Sequence, residues 1–168
     1  MALAFIALQQ RPQWLAEVAA AHVQAFGELL PQWTQEQAAA ELAQPPVAGV
    51  PQTWLAVEHG QWLGSVSLLH EDHAQIPQYS PWLASLYVQP AARGHGLGRA
   101  LIAHCVAQAA ALGFPRLYLY CAPALEAYYH RLGWHLQQRL QLGPMAVAVL
   151  YVVPADYPVA DDARPVRS

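Results

Sequence analysis

"PWLASLYVQPAARGHGLGRALIAHC", residues 81–105, carries the most information in this chain. It begins with a short run from Trp82 to Val88, rich in the large apolar and aromatic side chains that suit a strand. Pro90 ends the run. Glycines follow at every second position, Gly94, Gly96 and Gly98, with Arg93 and Arg99 on either side. Over residues 98–112, Leu101, Cys105 and Leu112 fall on one expected helical stripe, and Gly113 is the expected stop. A strand that enters a glycine turn and then a helix is built for an anion. The first helical amides have no partners, the helix dipole puts partial positive charge there, and bare glycines let a phosphate approach. The plainer alternative is that the glycines only turn the chain. Missing features narrow the choice of anion. The P-loop needs a lysine, and all eight basic residues here are arginine. The dinucleotide fingerprint is G-x-G-x-x-G on the first strand, whereas this loop reads G-x-G-x-G and comes late in the chain.

Bulk composition sets the frame. At 168 residues, 55% hydrophobic and 11% charged, the chain has the size and make-up of one globular domain with its own core. A formal charge of −3 argues against a protein that grips nucleic acid through its phosphates. The start, "MALAFIALQQR", lacks a basic leader and reads as a first strand, and no run approaches the ~18 apolar residues of a membrane span. A cytoplasmic protein, with no membrane partner, is the expectation. Cys105 and Cys121 lack metal or redox spacing and read as buried free thiols.

The remaining pattern supplies the topology. Residues 3–8 suit a strand, and Pro12 opens a helix along which Leu15, Val18, His22, Phe26 and Leu29 recur. Thr34 and Gln37 form a capping-box signature for a second helix that stops before Pro45. "TWLAVE" and "WLGSVSLLH" read as a hairpin around His59-Gly60-Gln61. After the glycine segment come a strand at 116–121, a helix at 124–132 closed by Gly133, and two strands around Gly143-Pro144. The expected order is β-α-α-β-β-β-α-β-α-β-β, a mixed α/β domain over residues 1–153 with a loose tail at 154–168.

Arg93 to Gly98 also fits the R/Q-x-x-G-x-G/A signature of the GCN5-related N-acetyltransferase (GNAT) superfamily, and "ALEAYYHRLGW" resembles that family's later A-x-x-F-Y-x-x-x-G-F element. The resemblance covers about residues 53–135. It implies a mostly antiparallel sheet with a splayed central pair of parallel strands, flanked by about four helices. It implies acetyl-CoA as cosubstrate, its pyrophosphate held by Arg93, Gly94, His95, Gly96, Leu97, Gly98 and Arg99. The pantetheine arm would pair with the backbone of Leu86, Tyr87 and Val88. Tyr129 falls where the family commonly has the tyrosine that protonates the leaving sulfur, although Tyr128 and Tyr129 could both simply pack. The family's asparagine after the fifth strand is replaced here by Ala122, which puts one pantetheine contact in doubt.

Transfer to an amine needs a deprotonated nitrogen, donors for the carbonyl oxygen and a proton for the departing thiolate. The strand "LASLYV" has no carboxylate to act as base. Glu71 or Asp72 could hold a cationic amine, and His70 or His73 could accept its proton; a solvated turn is the plainer reading. His-x-x-His at 70 and 73 is a poor metal signal, so no metal is expected. His95 is expected to point to solvent, and His22 and His104 to be structural. Trp33, Glu28 and Glu36 are candidate pocket lining, while Trp54, Trp62 and Trp82 fit the sheet. The leading expectation is an acetyl-CoA-dependent N-acetyltransferase acting through a ternary complex on a small-molecule or peptide amine. The alternatives are an inactive acetyl-CoA-binding module, or a transferase using a longer acyl-CoA or an oxygen acceptor. The edge of the C-terminal hairpin could support a homodimer.

Overall fold

The computed structural model describes residues 3–27 and 32–158, so Glu28, Leu29 and residues 159–168 of the tail lie outside the described residues. In chain order the elements are β1 (Ala4–Ala7), α1 (Leu15–Phe26), α2 (Gln35–Leu42), β2 (Gln52–Glu58), β3 (Gln61–Leu69), β4 (Trp82–Val88), α3 (Leu97–Ala111), β5 (Leu117–Cys121), α4 (Glu126–Arg131), β6 (His135–Leu142) and β7 (Met145–Val152). This is the expected order. The strands form one sheet, β1-β2-β3-β4-β5-β7-β6, antiparallel throughout except between β4 and β5.

Local chemistry explains the boundaries. The Gln37 amide donates to Thr34 Oγ1 at 3.1 Å while the Thr34 amide donates to Gln37 Oε1 at 2.9 Å, closing the capping box of α2. Such a cap stabilises a helix end by about 1 kcal/mol. The β2–β3 turn is His59-Gly60 alone, both at positive φ, because Gln61 already pairs with Glu58. That two-residue turn matches the strand twist. Leu112 departs from the expected stripe. The helix has ended at Ala111, and Leu112 is 42% exposed, its side chain lying against Gly49. The buried stripe of α3 is instead Leu97, Leu101, Ile102, Cys105, Val106 and Ala109.

Strand alternation sorts the layers. Leu117, Leu119 and Cys121 of β5 join the large core beneath α3, together with Tyr129 and Trp134. Tyr118 and Tyr120 face the other way, toward Trp82 and Val149. That second face is covered by α1, which packs on Leu55 and Val57, and by the β3–β4 connection, which buries Ile76. His22 on α1 is 1% exposed and its Nε2 lies 2.8 Å from Ser65 Oγ, a structural role as expected. Of the tail, Pro154 is buried and Tyr157 sets its ring edge on Trp134, with centroids 6.3 Å apart.

The centre of the sheet is where regularity fails. Ser65 pairs with Tyr87 but Ser67 pairs with Ala84, so β4 carries an extra residue, and Ser85 there has φ 52°. A bulge of this kind bends its strand away from the plane. Against β5, β4 makes only the Trp82–Tyr118 pairing, with the Tyr118 amide donating to Pro81 O at 3.0 Å. Beyond that point the two parallel strands separate. Gly64 lets β3 stay close behind them: a Cβ there would stand 2.6 Å from the Tyr87 carbonyl oxygen and 3.0 Å from Leu101 Cδ1.

Candidate active site

Parallel strands end on the same side of a sheet, so the loop after β4 and the helix after β5 meet at one end of the gap. There Val88, Ala92, Arg93, Gly94, Gly96, Leu97, Gly98 and Arg99 line an open pocket of about 330 Å³, with Tyr128 of α4 opposite. Gly96 is the cap of α3 at φ 78°, a left-handed conformation that a side chain would strain. Having no side chain, it cannot cap its own helix. The first helical bond runs from the Ala100 amide to Gly96 O at 3.2 Å, so the amides of residues 97–99 have no partner within the helix. Arg93 donates from Nε to Val88 O at 2.9 Å, which ties the loop to the end of β4 and sets its guanidinium 6.0 Å over the Tyr87 ring. His95 is exposed and is not among the lining residues. Leu86 packs toward α3 and Tyr87 toward α1, leaving their backbone edges unpaired by β5.

α4 is only six residues long, too short to be stable alone. Arg139 of β6 holds its first turn through a two-pronged contact with Glu126, at 2.9 and 3.0 Å. Tyr129 points into the core beside Cys121 and Trp134. Burial, with the Cys121 and Tyr128 charges as smaller causes, pushes its phenol up to about 12, so it stays protonated and can donate. The Cys121 thiol beside it is pushed up to about 11, chiefly by the same burial and then by Glu126.

The opposite face of the sheet carries carboxylates and rings. Trp33 Nε1 donates to Glu41 Oε1 at 2.6 Å. Burial raises the Asp72 carboxyl to about 6, and the charge of Glu41 adds to that rise. Asp72 in turn raises the phenol of Tyr120, whose main cause is its own burial. The His73 ring meets Tyr120 edge-on at 6.3 Å. Its Nδ1 accepts the Gln75 amide at 3.1 Å. His70 sets its ring against Phe114, on the α3 side. Glu71 and Glu36 are exposed. Among the described residues no group of three or more His, Cys, Asp and Glu could hold a metal ion, and no helix is long and apolar enough to cross a membrane.

The sequence pattern of the acetyltransferase (GNAT) family matches residues 14–134. The chain belongs to that family. GNAT proteins take the group they transfer from acetyl-CoA. Solved structures agree on the fold. An aminoglycoside 6′-acetyltransferase type Ii superposes with a TM-score of 0.69 at 15% identity, covering 94% of this chain and all (100%) of that one. YncA from Salmonella typhimurium, solved with its cofactor acetyl-CoA, gives 0.66 at 15% identity over 94% of this chain and 97% of its own. An acyl-CoA N-acyltransferase from Pseudomonas aeruginosa gives 0.64 at 20% identity over 89% and 99%. None of the curated proteins compared with it matches.

Seen in this GNAT acetyltransferase, the residues singled out from sequence divide into two groups. Arg93, Gly94, Gly96, Leu97, Gly98, Arg99 and Val88 converge on one pocket. Trp33 and Asp72 come together only through Glu41, which sequence reasoning missed, as it missed Tyr120. The strict alternation of "LYLYC" was the available signal for Tyr120, since it sets Tyr118 and Tyr120 on the face opposite Cys121. Nothing local to Glu41 marked it.

Proposed function

We propose that the protein is an N-acetyltransferase that moves the acetyl group of acetyl-CoA onto the amine of a cationic acceptor, both bound at once. The observation that carries this reading is the gap between β4 and β5, with an anion pocket and a buried phenol on one side and a carboxylate pair on the other. Bound acetyl-CoA would supply the activated acetyl carbon. The amides of residues 97–99, with Arg93 and Arg99, would hold its pyrophosphate, and the unpaired edge of Leu86, Tyr87 and Val88 would hold its amide arm. Val88 O already accepts Arg93 Nε and has one lone pair left for that task.

Asp72 and Glu41 would hold the incoming ammonium, with Trp33 and Tyr120 as the walls. The raised proton affinity of Asp72, caused by its burial and then by the charge of Glu41, is relieved by a bound cation, which favours an acceptor with positive charge. With His73 Nδ1 engaged by the Gln75 amide and no carboxylate on β4, the proton lost by the nitrogen leaves through water. The new bond joins that nitrogen to the acetyl carbon, the carbon–sulfur bond breaks, and Tyr129 Oη gives the sulfur its proton. In water a phenol near 10 protonates a thiolate near 8.5 poorly. Burial keeps the Tyr129 phenol protonated at neutral pH, so its proton is available as the thiolate departs.

Calorimetric titration with acetyl-CoA, with ATP and NAD as controls, tests the reading. Selective binding followed by release of CoA thiol from mono- and diamines is expected. Binding without thiol release across the amines would leave a binding module, and no binding by folded protein would sink the proposal.

A further inference from the structure

The two tyrosines of α4 have separate fates. Tyr129 is 9% exposed, whereas Tyr128 is 37% exposed with its ring edge-on to Tyr129 at 5.1 Å. Tyr128 is the lining residue of the α3 pocket that comes from elsewhere in the chain; the others all fall between Val88 and Arg99. Its hydroxyl has no hydrogen-bond partner among the described residues, though a phenol can both donate and accept. Across the pocket stands Gly98, inside the first turn of α3. A Cβ on Gly98 would lie 4.0 Å from Tyr128 Oη and 3.9 Å from Val88 Cγ2. The phenol oxygen thus faces the bare side of Gly98, in the first turn of α3, across the pocket. The neighbouring cation Arg93 has already given its Nε to Val88 O. Arg93 keeps its terminal N–H groups for an anion seated there, and on the α4 side of the pocket Tyr128 is the lining side chain, with a phenol free to donate.

We infer that Tyr128 is the second wall of the pyrophosphate site, its Oη donating a hydrogen bond to a phosphate oxygen of acetyl-CoA held at the start of α3. This rests on the acetyl-CoA reading and adds a residue whose substitution moves binding and not chemistry.

Tyr128→Phe removes one exposed atom and leaves the packing on Tyr129 intact. Calorimetry of wild type and variant with two probes, acetyl-CoA and its 3′-dephospho form, keeps the pyrophosphate and removes the ribose phosphate. The expected result is a loss of about tenfold in affinity, the same factor for both probes, as for one hydrogen bond to a charged acceptor. A loss seen only with acetyl-CoA would move the phenol to the ribose phosphate and overturn the assignment. Equal affinities in variant and wild type would overturn it too. If wild-type protein binds neither probe, the acetyl-CoA reading itself has failed, an outcome separate from the other two.

Discussion

The two sides of the gap between β4 and β5 are made by opposite means. On the α3 side the pocket is nearly all backbone, drawn from one continuous stretch, and its charge comes from unpartnered amides and two arginines. On the other side Trp33 and Glu41, Asp72, and Tyr120 come from three separate segments, and the charge is negative. A backbone cradle recognises a group common to every reaction of the enzyme. A constellation of side chains can be altered one residue at a time, which suits the half of the site that chooses the acceptor.

The strongest test of this contrast is Gly96→Glu. It puts a carboxylate where the anion should sit and a side chain at φ 78°. Two unit charges ~4 Å apart at an effective dielectric near 20 repel by about 4 kcal/mol. Acetyl-CoA affinity should fall roughly a thousandfold by calorimetry. Unchanged affinity would remove the cradle from the argument.

Tyr129→Phe comes next. Loss of a positioned proton donor should lower kcat by about a hundredfold, while acetyl-CoA affinity stays within about twofold. Wild-type turnover would return Tyr129 to packing against Cys121 and Trp134.

The same contrast explains what could be read from the sequence. The glycine loop is governed by rules of short range, helix caps and positive φ, so most of the lining of its pocket was legible, although His95 stays outside it and Ala92 and Tyr128 join it. The topology was legible because short apolar runs, continuous in β2 and β3 and alternating in β5, mark the strands, and Thr34, Gly113 and Gly133 punctuate the helices. The proposed acceptor side was not, because Glu41 acts on Asp72 only once α2 has packed on α1. Leu112 was misplaced for a related reason: the stripe continues in the sequence past the point where Gly113 stops the helix. Tyr128 was read as packing because its neighbour filled the motif, and only the position of α4 against Gly98 gives it a role.

Asp72→Asn probes the negative side twice. Weakened capture of the ammonium should raise KM for the amine about tenfold and leave acetyl-CoA affinity alone. Its effect on stability depends on pH. The folded carboxyl titrates near 6 and the unfolded one near 3.8, so between these values the folded state holds more protons and stability falls as pH rises. Above pH 6 the full penalty is present, and the asparagine variant should be more stable there by about 1–3 kcal/mol. Below pH 4 the two proteins should unfold alike. A gain in stability at pH 4 as large as that at pH 7.5 would mean that Asp72 is not the titrating group.

His104→Phe should act at the opposite end of the pH scale and by the smallest amount. His104 stacks on Phe5 with centroids 4.5 Å apart and meets Trp54 edge-on, while its Nε2 is buried without a partner. Burial lowers its folded pKa from 6.5 to about 4. As pH falls through that window the unfolded chain takes up the proton first, so stability is lost toward acid. Phenylalanine keeps the stack, removes the orphaned nitrogen and removes the titration. Thermal unfolding should show a gain of about 1 kcal/mol at pH 7.5 and a larger one at pH 5. His22, lowered in the same way and still bonded to Ser65, keeps part of the acid sensitivity in place. A variant that gains nothing at pH 5 beyond its gain at pH 7.5 would assign that sensitivity to His22 alone. The α3 side would then carry no acid-labile group to set against Asp72.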